Sequence, residues 1–424
     1  MEVRGFDCFW SALLFRSQIC PILIFDNLQV PVIISFKARL MSVFYHLSII
    51  TKSGGTMKLF EPITINGMEL KNRIVMPPMQ LSLGMKNRRA RAYYMERARG
   101  GAGAIIMAAA SVDLFLYDKT WGRPDGVARF VEAMQTITDE LRATGAKIGI
   151  QIWHGNEIPP GVGMPNQPGA ELVAPSATDE AREITVDEIR SIIDKFAGAA
   201  AKAKEAGFDF VELHGAHGYM LCKFFSGADN MRTDEWGGSL QGRMKFGVEA
   251  VRAVRAAVGD DYPICYRFPA EEKFKGGITL SQSKKFAVEL EKAGVDVLNV
   301  SHGSTRGGTG APTKRSKMGA YVYMAEAVKE KVSIPVIGVG RINTSEVAEE
   351  ILKNNRADLV AIGRQLIADP YWPQKVQEGR ESEIVACESC NTCFIPFRGV
   401  RKWKIGDPIC KVNERAGREI DFLE

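Results

Sequence analysis

Eight short, almost wholly apolar runs recur along the chain, each followed by a longer segment with apolar residues at helical spacing. The runs are Arg73 to Met79, Gly103 to Ala109, Ala146 to Ile152, Phe208 to Leu213, Pro263 to Phe268, Val295 to Val300, Ile334 to Val339 and Asp358 to Gly363. Strands buried on both faces read this way, because neither side meets water. Between them, Val127, Phe130, Val131, Met134, Ile137 and Leu141 make one helical stripe. Ile189, Ile192, Ile193, Phe196, Ala200 and Ala203 make another, which stops at Gly207. Eight such units, with no long all-helical or all-strand block, predict an α/β fold of the (β/α)8 TIM-barrel type. A doubly wound open sheet is the competitor, and the regularity of the eight units favours closure.

Composition narrows the function. The 424 residues are 46% apolar and 25% charged, which excludes a disordered, collagen-like or coiled-coil chain. A net charge of +5 without a basic run gives no reason to expect a nucleic-acid partner. Residues 1–56 differ from the rest. Their apolar stretches are interrupted by Asp26, Asn27 and Gln29 and broken at Pro21 and Pro31. No run reaches the roughly 18 apolar residues of a membrane span, and no cleavage site follows one compact apolar core. We expect the protein proper to start at Met57, with 1–56 a mis-assigned or disordered extension; a membrane-associating leader is the weaker alternative. Peptides from 1–56 in mass spectra of natively expressed protein would sink this idea. The expected organisation is therefore 1–56 as extension, 57–380 as barrel and 381–424 as a cysteine-bearing segment. Eight cysteines in so long a chain are no disulfide framework, which points to a reducing cytoplasm. Self-association into a homo-oligomer stays open.

Barrel enzymes keep their chemistry at the C-terminal ends of the strands. There the sequence places Pro77-Pro78-Met79-Gln80, Gln151-Ile152-Trp153-His154, His214-Gly215-Ala216-His217-Gly218-Tyr219, Tyr266-Arg267-Phe268, Ser301-His302-Gly303, Gly340-Arg341 and Gly363-Arg364. Glycines at 340 and 363 let backbone N–H groups approach an anion, and Arg341 and Arg364 add charge. The turns after the last two strands are the usual phosphate site of such barrels. His214, His217 and Tyr219 share one strand-end loop. Imidazoles can donate to a developing oxyanion and a phenol can deliver a proton. A metal site is a rival use of two histidines, and hydrogen-bonded core residues are the plain one. Two of only five histidines falling here favours function.

These residues carry a resemblance. Leu59-Phe60-Glu61-Pro62 with Lys71-Asn72-Arg73-Ile74-Val75-Met76-Pro77-Pro78-Met79, the histidine loop with Asn230-Met231-Arg232-Thr233-Asp234-Glu235-Trp236-Gly237-Gly238-Ser239 and Arg243, and Val339-Gly340-Arg341-Ile342 with Gly363-Arg364-Gln365-Leu366-Ile367-Ala368-Asp369-Pro370 resemble the old yellow enzyme family. The similarity is greatest to its iron–sulfur branch and runs from about Met57 to the C-terminus. The resemblance implies FMN at the barrel mouth. Pro77, Pro78, Met79 and Ala109 would line the flavin through backbone contacts, and Gln151 would bond its pyrimidine edge. Arg267 would sit beside N1 and O2, while Gly340, Arg341, Gly363 and Arg364 would hold the phosphate. His214 and His217 would bind a substrate carbonyl and Tyr219 would protonate the α-carbon. Gln80, Ala108 and Gly155-Asn156 depart from the family pattern, which bears on redox tuning and substrate. The flavin and pyridine-nucleotide domains that follow in long members are not expected within this chain.

Cys387, Cys390 and Cys393 form a C-x2-C-x2-C triplet, with 16 residues between Cys393 and a fourth cysteine, Cys410. Three-then-one spacing suits a [4Fe–4S] cluster, whereas structural zinc more often uses paired knuckles. The combined expectation is an ene-reductase in which NAD(P)H reduces FMN and an α,β-unsaturated carbonyl is the substrate. The alternative is an oxidative amine dehydrogenase or demethylase passing electrons through the iron–sulfur cluster to a carrier. A metal-dependent hydrolase and a non-catalytic redox module complete the set.

Overall fold

The computed structural model describes residues 57–81, 83–85, 87–118, 123–154, 171–303, 310–394 and 406–422. The chain divides into Met1–Thr56 and Met57–Glu424, and the first unit lies outside the described residues, as do Gly155 and Asn156. The second opens with an antiparallel hairpin of β1 (Ile63–Ile65) and β2 (Met68–Leu70). Asn66 and Gly67, both with positive φ, make the two-residue turn that suits the natural strand twist.

Eight parallel strands then close a barrel: β3 (Ile74–Met76), β4 (Ala104–Ser111), β5 (Lys147–Trp153), β8 (Phe210–His214), β9 (Ile264–Glu271), β10 (Val297–His302), β11 (Val336–Val339) and β12 (Leu359–Ala361). A two-stranded pair, β6 (Val173–Ala174) and β7 (Arg182–Glu183), lies between β5 and β8. All eight expected runs are barrel strands, and the closed order settles closure against the open sheet. The first and last are shorter than expected. Pro77 and Pro78 have no N–H to give the ladder, so β3 ends at Met76. The two stripes fall on the helices Gly126–Arg142 and Val186–Glu205; the second begins in a Thr185–Glu188 capping box, and Gly207 follows it at φ +81°.

The outer strand faces and the helices form the main core, whereas Val75, Ile106, Phe210, Cys265, Val297, Ile337 and Leu359 pack inside the barrel. Ile65 and Leu70 of the hairpin join this inner cluster, so the hairpin stoppers the base. At Gly149 a Cβ would lie 2.4 Å from the Phe210 ring, so glycine there makes room for it. The C-terminal segment is fastened to the barrel wall. Arg97 in the helix Arg88–Arg99 pairs with Glu419 at 2.6 Å, both fully buried, and also donates to the carbonyls of Leu366 and Tyr93. Among the described residues no helix is long and apolar enough to cross a membrane.

Candidate active site

Strand pairing brings inward-facing residues into layers. Gln151 pairs with Glu212, Glu212 with Cys265, His214 with Arg267, and Arg267 with Asn299. The lower layer of the barrel is apolar, the next holds Gln151, Glu212 and Asn299, and the strand ends hold His214 and Ser301. All five are buried. Glu212 accepts from Gln151, Asn299 and Cys265. Burial holds its carboxyl above the usual carboxylate range, against the opposing pull of Arg267 and these donors.

At the rim, the ring centroids of His214 and His217 lie 5.1 Å apart, and that of Tyr219 lies 4.6 Å from His214 and 4.8 Å from Trp153. The three residues expected to act together are therefore together. His217 takes up φ +64°, and Gly218 follows at +77°, which folds the loop back over the strand end. At Gly215 a Cβ would lie 2.1 Å from the Tyr266 ring, so only glycine fits that step.

A backbone hydrogen bond fixes the His214 tautomer. The Ala216 N–H donates to His214 Nδ1 at 3.4 Å, so the His214 ring proton belongs on Nε2. Arg267 Nη2 donates to Ser301 Oγ at 3.0 Å. Ser301 Oγ also lies 2.7 Å from His217 Nε2, and with two lone pairs and one proton it can accept from Arg267 while either donating to that ring or accepting from it. Burial, then the nearby His217 and Arg267, holds His214 well below the ordinary imidazole range. Burial, then Arg267 and His302, holds His217 at about 3. Both rings are neutral donors at pH 7. Ser301 stands at a strand end in the sequence with no role attached; its linking position needs three strands in register to be seen.

The expected cofactor contacts are distributed around the same rim. On β4 the ladder slips between Met107 and Ala110, so Ala108 and Ala109 together face Gln151 on β5. This bulge takes backbone out of the ladder beside Gln151. Arg267 is buried, and its Nε and Nη1 have no hydrogen-bond partner among the described residues. Gly363 lies so close to β3 that a Cβ would meet Pro77 Cγ and Met79 Sδ at 3.2 Å, and Pro78 stands between those two. At Gly340, φ is +128° and a Cβ would lie 2.7 Å from the Tyr321 N atom. Arg341 donates to the Ser316 carbonyl and to Ser389 Oγ, and Arg364 to the Pro312 carbonyl and Asn391 Oδ1. Both guanidinium groups thus reach the cysteine loop as well as flanking the glycine turns. A large outer groove of about 1050 Å³, lined by Lys245, Lys284 and Val288 among others, contains none of these rim residues.

The cysteine loop docks on the turns after β11 and β12. Asn343 donates to the Cys387 carbonyl, and Gln365 exchanges bonds with the Val385 carbonyl and the Cys387 N–H. Among the described residues no group of three or more His, Cys, Asp or Glu side chains is placed to hold a metal ion.

A model of the NADH:flavin oxidoreductase / NADH oxidase family matches residues 58–383. An NADH oxidase of Thermoanaerobacter brockii is 42% identical over 385 residues, covering 86% of this chain and 57% of that one. An NADPH dehydrogenase of Clostridium acetobutylicum is 38% identical over 330 residues, 74% of this chain and 93% of that one. A solved 2-naphthoyl-CoA reductase in complex with 2-naphthoyl-CoA matches with a TM-score of 0.75 at 28% identity, over 86% of this chain and 58% of that one. The chain spans a little over half the length of that oxidase and that reductase. With a family match that takes in all eight barrel strands and the rim residues they carry, the chain belongs to the NADH:flavin oxidoreductase / NADH oxidase family of FMN-dependent oxidoreductases.

Proposed function

We propose that the chain reduces the C=C bond of an α,β-unsaturated carbonyl at the expense of NAD(P)H. The observation that carries this reading is the pair of neutral imidazoles, with the His214 ring proton on Nε2, beside the Tyr219 phenol. His214 Nε2–H and His217 grip the carbonyl oxygen and hold the charge that builds on it. Tyr219 gives a proton to the α-carbon as a hydride arrives at the β-carbon. NAD(P)H loses the two electrons that the alkene gains. Bound FMN supplies the two-electron hydride chemistry between them. Gln151 would meet its pyrimidine edge, Arg267 its N1/O2 region, Gly340, Arg341, Gly363 and Arg364 its phosphate, and Pro77, Pro78, Met79 and Ala109 one side of the ring. The unpartnered Arg267 donors and the close-packed Gly363 turn fit that group. Anaerobic NADH should bleach the yellow protein and an enone should restore the colour; no reoxidation by any unsaturated carbonyl would defeat the proposal.

Since both imidazoles are already neutral, affinity for phenols, which mimic an enolate, should stay flat from roughly pH 5.5 to 7.5. A clear rise or fall centred near 6.5 would show a histidine titrating. The same depression makes the fold less stable in acid. The unfolded chain takes up a proton at His217 near 6.5 and the folded one only near 3, so stability falls as pH drops through that window.

For the cysteine segment we propose a [4Fe–4S] cluster on Cys387, Cys390, Cys393 and Cys410. A four-iron cube holds its thiolates farther apart than one ion does, so the lack of a single-ion arrangement does not count against it. Burial pushes Cys393 up to about 12; Arg364 opposes this, and the other three thiols add to it, so each of them lies within electrostatic reach of Cys393. The Ser389 N–H reaches Cys387 Sγ at 3.4 Å, and Ser389 and Asn391 take positive φ, curling the loop around its thiols. Anaerobically purified protein is expected to contain iron and acid-labile sulfide; zinc without iron would overturn this. The contacts of Arg341 and Arg364 with this loop favour the second reading, an amine dehydrogenase passing electrons outward. Amine oxidation, however, has no use for two oxyanion donors.

A further inference from the structure

Glu212 sits one layer below the rim, wholly buried, where an ionised carboxyl is costly unless donors meet it. Here three do. Gln151 Nε2 lies 2.7 Å from Oε1, and Asn299 Nδ2 and Cys265 Sγ lie 2.6 and 3.1 Å from Oε2. A carboxylate only accepts, so it decides which way both amides face. Gln151 must turn its NH2 group down to Glu212, and its carbonyl oxygen is then the end free to meet a donor. Asn299 is turned the same way, and its Oδ1 has no partner among the described residues. Above lies Arg267, whose Nε and Nη1 are equally unpartnered. The apolar layer beneath already fills the barrel, so packing alone gives no reason for a charge here.

We propose that Glu212 is a positioning residue for the flavin: it holds Gln151 as an acceptor toward the ring's N3–H, the sole donor on the pyrimidine edge, and supplies the negative charge that offsets Arg267. The proposal rests on the FMN reading above. It makes the balance between Glu212 and Arg267 a determinant of the flavin potential. Removing the carboxylate's charge leaves Arg267 unopposed and favours the anionic reduced flavin.

The test uses apoprotein titrated with FMN, followed by potentiometry of the bound flavin. Glu212→Gln, which keeps the shape, is expected to weaken FMN binding about tenfold, the scale of one lost hydrogen bond. It should also raise the midpoint potential, by about 30 mV for each tenfold gain in preference for the reduced form. Gln151→Ala should cost a similar factor in affinity, and the double variant little more than either, because the two act through one contact. A folded Glu212→Gln with unchanged affinity and potential overturns the proposal, and so do additive losses in the double variant. Should Glu212→Gln fail to fold, Glu212→Asp keeps the charge while withdrawing it from the amide. It is then expected to lose affinity at near-constant potential, and unchanged affinity overturns the proposal. Wild-type apoprotein that binds no FMN removes the FMN reading itself, whereas normal wild-type binding with silent Glu212 variants removes only this inference.

Discussion

Tyr219→Phe should slow reoxidation of the reduced flavin by an enone on the order of 10²-fold or more, while FMN binding and reduction by NAD(P)H stay nearly unchanged. Hydride arrival at the β-carbon leaves an enolate that needs a proton at its α-carbon. A phenol with an ordinary pKa of about 10 is a weak acid toward water and an adequate one toward such a carbanion. Tyr219 is held for this by edge contacts to Trp153 and His214 at 4.8 and 4.6 Å, neither of which needs its hydroxyl. The Phe variant therefore keeps both ring contacts and removes the proton donor. His214→Ala should behave differently, weakening phenol binding as well as turnover, since it removes an oxyanion donor. Stopped-flow traces of the two half-reactions distinguish these cases. An oxidative rate unchanged in Tyr219→Phe would take the residue out of the mechanism.

The largest stability effect is expected at Arg97. Replacing it with Met leaves the Glu419 carboxylate buried without its cation, at a cost of about 3–5 kcal/mol. Glu419→Leu alone should cost a similar amount by stranding the guanidinium, which also packs 3.5 Å above the centroid of the Tyr93 ring. The double variant should recover most of either loss, because two apolar side chains of similar size need no counter-charge. Chemical denaturation midpoints of the three variants test this; a double variant no better than the singles would show that the hydrogen bonds to Leu366 and Tyr93 matter more than the pair.

The barrel was legible in the sequence because strands covered on both faces cannot hide their apolar runs, and rim residues betray themselves by turning polar where those runs stop. The hairpin was overlooked although Asn66-Gly67 announces its turn, since strands of three residues leave too little alternation to stand out. The Ala108–Ala109 bulge could not be read, because a ladder slip depends on the partner strand. Glu212 was visible as an acid in the middle of the Phe208 to Leu213 run, yet its partners come from three other strands, and only register brings Gln151, Cys265 and Asn299 to it. The reach of Arg341 and Arg364 into the cysteine loop was hidden for the same reason, with 48 and 27 residues separating the partners.

The hairpin at the base of the barrel has a consequence for how this scaffold can change. Ile65 and Leu70 seal one end of the lumen while the polar residues gather at the other, so the two ends answer to separate demands. Substitutions at the rim can reshape what enters without loosening the seal, and repairs at the seal can restore lost stability without disturbing the chemistry. A laboratory library aimed at new substrates should therefore vary the rim loops and hold residues 63–70 constant, drawing its compensating changes from the stoppered end.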